Sequence, residues 1–397
     1  MRLSPNLDGV SGSETLRISE LAAELRARGV PVVSLSAGEP DFDTPAHVRA
    51  AGTAAIERGH TRYTATAGIA ALRSAIARDL ARRTGVDYDA SDVLVGSGAK
   101  QVLYNACMAL FGPGDEVLVP APFWVSYPAM IRLARATPVV VDCGSDAGYK
   151  VTVDCLSVAV TRRTRGLILN SPSNPTGAVY SAGELADLTA FCAERELWIL
   201  SDEIYARLCY APGVAPSTAA AGPHARERTV TVNGFSKAFA MTGWRIGYGA
   251  APREVTAAME VVQSHSSSNA SSIGQYAALA ALEREEESDA AVEDMRRAFE
   301  RRRDRLLAGL EGLPGVRNLV PHGVFYVFTD VREHLASRDG GSSEDFCAAL
   351  LRDHALALVP GSAFGMEGHV RWSFAASEAE LDEGIARFRA AVLGAGG

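Results

Sequence analysis

Between Asp92 and Gly249 short, unbroken apolar runs alternate with amphipathic segments. The runs Val93–Val95, Glu116–Val119, Pro138–Val141, Arg165–Asn170, Leu197–Leu200, Thr229–Val232 and Arg245–Gly249 predict seven strands. Continuous apolar runs, as opposed to alternating ones, belong to strands buried on both faces, so they predict a mostly parallel sheet sandwiched by helices. Helical spacing marks Lys100–Phe111 and Ala182–Glu194 between them, and the stretches 13–28, 46–57 and 70–83 before them. A short β-like run over 31–35 breaks at Ala37-Gly38-Glu39-Pro40. Past Ala251 the pattern turns helical, and Val292, Met295, Phe299, Leu306 and Leu310 predict a long helix from about 289 to 310. Strands at 325–328, 357–359 and 370–374 then mix with two helices. The expectation is an α/β protein: a large domain over 46–285, and a smaller α+β domain built from 1–45 together with 286–397.

Composition narrows the class. The 397 residues are 47% hydrophobic and 22% charged, enough for a sizeable packed core. A net charge of −8 argues against a nucleic-acid partner, which would need a basic face. No apolar run approaches a membrane span, and the first residues show no apolar leader, so no membrane partner is expected. The six cysteines form no C-x-x-C pair and lie at no metal-ligand spacing. They read as reduced, mostly buried thiols of a cytoplasmic protein with no metal site.

In an open α/β sheet ligands collect beyond the carboxyl ends of the strands, so the residues there carry the candidate chemistry. Lys237 follows a strand among small residues; burial would lower its pKa and make it a nucleophile toward a carbonyl, whereas a lysine snorkelling to the surface is the alternative. Asp202 closes another strand. It suits a protonated pyridine nitrogen, or else a helix cap or salt bridge. Gly96-Ser97-Gly98 opens a helix whose backbone N–H groups suit a phosphate, and Arg245 could bind that phosphate from the other side. Trp124 could stack on a ring or simply fill the core. Arg371, a charge in an apolar strand, could clamp a carboxylate or form an interdomain ion pair. Together these groups describe a site for pyridoxal phosphate and an amino acid.

The segments SAGEPDFDTP (36–45), TRYTATAGIAALR (61–73), SPSNPTGAVY (171–180), SDEIYARL (201–208), NGFSKAFAMTGWRIGY (233–248) and VRWSF (370–374) resemble the class I/II aminotransferases of fold type I. The likeness spans nearly the whole chain and is nearest to the compact bacterial aspartate subgroup. It implies a pyridoxal 5′-phosphate enzyme that moves amino groups between amino acids and 2-oxo acids. Lys237 would hold the cofactor and shuttle the proton, Asp202 would pair with its ring nitrogen, and Tyr205 and Asn174 would bond its phenolic oxygen. Ser236, Arg245 and the backbone at Gly98 and Ala99 would hold the phosphate, with Trp124 stacked on the ring. Tyr63 would reach the phosphate of a neighbouring subunit, which implies a homodimer with shared active sites. Arg371 would bind the substrate α-carboxylate, assisted by the backbone at Gly38.

The resemblance further implies that Lys100, in the Gly98-Ala99-Lys100-Gln101 turn, reads a side-chain carboxylate. Ser13 and Thr15 would lie at the entrance, on a segment that closes over substrate. That favours aspartate with 2-oxoglutarate. Two features depart from the pattern: His265 in a Ser-rich stretch over 264–268, and Trp372, which adds bulk beside Arg371. They leave room for a specialised or aromatic amino acid. A lyase, decarboxylase or oxidase on the same fold is a further alternative. A non-catalytic ligand sensor ranks below these, because the fold begins within the first few tens of residues and the chain is acidic.

Overall fold

The computed structural model describes residues 4–12, 14–210, 214–336 and 341–394. Its strands, in chain order, are β1 (Val33–Ser34), β2 (Val93–Gly96), β3 (Glu116–Ala121), β4 (Thr137–Asp142), β5 (Thr164–Asn170), β6 (Trp198–Asp202) and β7 (Thr229–Gly234). They continue with β8 (Gly247–Ala250), β9 (Arg317–Asn318), β10 (Tyr326–Asp330), β11 (Leu356–Ala357), β12 (Val359–Pro360) and β13 (His369–Ser373). Seven of them form one sheet in the order β2-β8-β7-β6-β5-β3-β4. All neighbours pair parallel except β8, which is antiparallel to both β2 and β7.

The apolar runs are buried on both faces, as the continuous pattern predicts. Leu118, Leu167, Leu169 and Ile199 pack into one cluster, while their strand neighbours Val117, Val119, Ile168 and Leu200 pack into another on the opposite side. Helices cover both faces. Ala46–Glu57 and Ala182–Glu194 fall where the periodicity places them. The latter starts at a capping box in which Ser181 and Glu184 satisfy each other's backbone N–H groups. Helices Ser126–Leu133 and Val153–Ala159 escape the pattern, being too short for a 3.6-residue period to show. The seventh strand begins at Gly247, not Arg245. Arg245 instead sits in a left-handed turn at φ 57°, a conformation a non-glycine residue holds only where the surroundings fix it.

After two helices, Arg253–Ser264 and Ser272–Glu283, the chain enters the long helix Glu285–Leu310. It leads to a four-stranded antiparallel sheet, β12-β13-β10-β9. The N-terminal β1 pairs parallel with β11 from the far end of the chain. Beneath these lies an apolar core that includes Phe299, Phe325, Trp372 and Phe388. Among the described residues no helix is long and apolar enough to cross a membrane.

Candidate active site

A cavity of about 580 Å³ opens where the carboxyl ends of the large sheet face the four-stranded sheet, a size suited to a cofactor and a small substrate. Asp202 ends β6 and Asn170 ends the adjacent β5. Lys237 stands in the loop that joins β7 to the antiparallel β8, so the topology brings the amine and the carboxylate to one floor.

Asp202 is 4% exposed. Burial pushes its carboxyl up to about 6, while the donors around it and the charge of Lys237 act downward. Tyr127 donates its hydroxyl to Asp202 Oδ2 at 2.7 Å, and the Ile204 N–H reaches Oδ1 at 3.2 Å. Among the described residues Asp202 forms no salt bridge, and the cap reading survives only as the local bond from the Ile204 N–H. Lys237 Nζ donates to the Gly38 carbonyl. Burial lowers its amine to about 8, against the opposing pull of Glu39, with Arg245 and Arg371 lowering it further. Such an amine is a usable nucleophile near neutral pH. Tyr205 is buried beside them, its hydroxyl 3.1 Å from that of Tyr326.

The N-terminal segment braces this floor. Thr44 donates to the Ala240 carbonyl at 2.6 Å, Trp244 Nε1 donates to Thr44 at 3.0 Å, and Thr242 donates to Glu39 at 2.8 Å. SAGEPDFDTP is thereby tied to the Lys237 loop across nearly 200 residues of chain.

One end of the cavity is built for an anion. The helix Ala99–Leu110 begins there, with Gly98 at φ 83°. A Cβ on Gly98 would stand 2.5 Å from Arg245 Nη2, so only glycine lets the guanidinium lie against this turn. Arg245 donates to the carbonyls of Thr242 (3.0 Å) and Ser97 (3.4 Å) and has no carboxylate partner among the described residues. Ser236 is buried and lines the same cavity. A helix N-terminus, a hydroxyl and an unpaired arginine fit a phosphate. With Trp124 on the wall and Asp202 on the floor, the donor set fits a phosphorylated pyridine.

The opposite wall comes from β13. Arg371 is 2% exposed and donates to Asn174 Oδ1 at 3.0 Å and to the Ser36 carbonyl at 2.8 Å. Its Nε is buried without a partner, and burial lowers its pKa. The guanidinium lies 4.3 Å from the Tyr326 ring centroid and 5.0 Å from that of Phe364. An interdomain ion pair is ruled out as its role, since its oxygen partners are neutral. A buried cation left without an anion suits a ligand carboxylate.

Lys100 lines the same cavity with its ammonium 4.9 Å from the Trp124 ring centroid, its pKa lowered by burial and by Arg245. Gly38, Ala99 and Asn174 also line it. Tyr63 does not; it is 91% exposed on the loop between two helices. Ser13 lies outside the described residues, as does the side chain of Thr15.

Neither departure from the family pattern lines the cavity. Trp372 adds no bulk beside the clamp, because neighbours along a strand face opposite ways. Its ring packs on Phe388, 4.9 Å between centroids, in the apolar core. His265 caps the helix Arg253–Ser264 and is exposed, away from the cavity lining. Its neighbour Ser267 accepts from Gln101, whose Oε1 takes the Ser97 N–H. Sequence reading passed over Tyr127 and Tyr326. Tyr127 is the second residue of the helix Ser126–Leu133, which is too short for a helical period to single it out.

The comparisons with known proteins agree with this geometry. The family model "Aminotransferase class I and II" matches residues 30–388. The chain is 43% identical over 387 residues to an aspartate aminotransferase of Geobacillus stearothermophilus, covering 98% of each. It is 44% identical over 398 residues to an aspartate/prephenate aminotransferase of Cereibacter sphaeroides, covering 99% of each. The solved structure of the Thermus thermophilus aspartate aminotransferase with maleate superposes with a TM-score of 0.93 at 42% identity, over 98% of this chain and 99% of that one. Sequence, fold and a cavity furnished with an amine, an acid and two unpaired guanidinium groups converge, and the chain belongs to the class I and II aminotransferases.

Proposed function

We propose that this aminotransferase works with pyridoxal 5′-phosphate held by Lys237, and that aspartate and 2-oxoglutarate are its substrates. The observation that supports this reading most is the placement of a pKa-lowered amine and a buried carboxylate on one floor, facing a buried arginine that lacks an anion. When bound, the cofactor supplies an electron sink for the pair released at the substrate Cα. Asp202 would keep a proton on the ring nitrogen. Lys237 would hold the cofactor and, when freed by the amino acid, would carry the proton from the substrate Cα. Ser236, Arg245 and the backbone at Gly98 and Ala99 hold the phosphate. Trp124 would cover the ring face, and Tyr205 and the Asn174 amide would bond the phenolic oxygen.

Arg371, with Gly38, receives the α-carboxylate, and Lys100 reads the side-chain carboxylate. Both cations line the one cavity, so a dicarboxylic substrate would bring a carboxylate for each. A second 2-oxo acid then runs the sequence backward, which makes the kinetics ping-pong. The exposed Tyr63 ring is read as a contact to the phosphate of a second subunit, giving a homodimer. We read 46–285 as the large domain and 1–45 with 286–397 as the small one, and six cysteines that form no disulfide favour the cytoplasm.

The test is a visible-absorption titration of the purified protein. L-Aspartate is expected to bleach the yellow cofactor band and 2-oxoglutarate to restore it. A band that ignores aspartate moves the substrate assignment to other amino acids. Bleaching that no 2-oxo acid reverses favours a lyase or oxidase. A protein that takes up no added cofactor defeats the reading.

A further inference from the structure

Tyr127 is 2% exposed on the helix Ser126–Leu133 and borders the cavity beside Trp124, the two rings edge-on at 5.3 Å and 80°. Its hydroxyl is the one side-chain donor to the Asp202 carboxylate among the described residues. Asn170 Nδ2 fixes the other end of Asp202 by donating to its backbone carbonyl at 2.9 Å. Burial and the neighbouring Asp202 hold the phenol far above its ordinary pKa, so it stays protonated and always donates. A neutral donor has a specific advantage here. A lysine or protonated histidine would stabilise the carboxylate by cancelling its charge, whereas a phenol lowers the cost of the buried anion and leaves that charge for another cation.

We propose that Tyr127 is a positioning residue that keeps the Asp202 carboxylate ionised and oriented, so that the ring nitrogen of the cofactor retains its proton. The proposal rests on the pyridoxal phosphate reading above. Loss of the phenol leaves the carboxylate with one backbone donor and the charge of Lys237. The acid then takes up a proton itself and gives up its hold on the ring.

Tyr127→Phe in the full chain keeps the ring and its packing on Trp124 and removes one oxygen. Affinity of the stripped protein for pyridoxal phosphate is expected to weaken about tenfold to a hundredfold. Affinity for the carbocyclic analogue, with C–H in place of the ring nitrogen, is expected to stay at the wild-type value. Nitrogen NMR of ring-labelled cofactor in the holoenzyme should move from the protonated toward the unprotonated position. Equal weakening for both cofactors, no weakening for either, or an unmoved nitrogen resonance would overturn the proposal. A wild-type protein that binds neither compound defeats the cofactor reading, and the proposal with it.

Discussion

The cavity is closed by two sheets that treat a buried charge in opposite ways. On the large parallel sheet Asp202 is supplied with a phenol and a backbone N–H, and a lysine amine shares its floor. On the small antiparallel sheet Arg371 is given a side-chain amide oxygen and a backbone carbonyl, two aromatic rings, and nothing for its Nε. Burying an ion is costly unless it is paired, so the difference marks what each wall expects. The acid is finished by its own protein, as the proposed role of a permanent partner to the cofactor ring requires. The arginine is left incomplete, which is what the proposed role as a clamp for a substrate carboxylate requires.

Four substitutions and one titration test that contrast. Lys237→Ala should lower turnover by at least about 10,000-fold, since it removes the nucleophile and the proton carrier together. The fold should survive. The amine sits below its ordinary 10.5 in the folded state, so near neutral pH its protonated form costs stability, and melting of the cofactor-free variant should show no loss. Near-normal activity in this variant would remove the central assignment. Asp202→Asn should cut kcat by about 100- to 1,000-fold with a smaller change in KM, because its work lies in the transition state. Arg371→Ala should cost about 100- to 1,000-fold in kcat/KM, expressed mainly as a raised KM. If both variants changed the same kinetic constant, the two walls would not differ in the way described.

Lys100→Ala should hurt dicarboxylic substrates about 10- to 100-fold more than apolar ones, by stranding a side-chain carboxylate. Equal losses would mean that Lys100 does not read the side chain. The smallest effect concerns pH. Cofactor uptake needs Asp202 ionised and Lys237 unprotonated, so its rate should climb with pH in two steps, near about 6 and about 8. Stopped-flow absorbance would show them, and a flat profile across that range would contradict both environments.

Much of the site was legible because each residue follows a strand run, and in a parallel sheet all such ends share one edge. Lys237, Asp202 and Gly98 could be singled out on that ground alone. Lys100 and Tyr63 could not; their proposed roles came through family likeness, since nothing in a lone surface lysine or tyrosine announces a ligand. The expected weight of Trp372 in the cavity failed for a simple reason. Strand alternation sends Arg371 and Trp372 to opposite faces, which an unbroken apolar run in the sequence does not reveal. Arg245 failed as a strand residue because its left-handed backbone serves the turn that aims the guanidinium at Gly98.

The sequence by itself determined the layered α/β class, the strands buried on both faces and the family, because apolar periodicity and short motifs are local properties of the chain. Only the tertiary structure decided which partners complete each charge. Tyr127 reaches Asp202 across 75 residues of sequence, Lys237 reaches Gly38 across 199 and Arg371 reaches Ser36 across 335. No local pattern encodes a hydrogen bond between segments so far apart. It exists only once packing has set both ends at bonding distance, and there the presence or absence of a partner turns a buried charge into a fixture or a binding site.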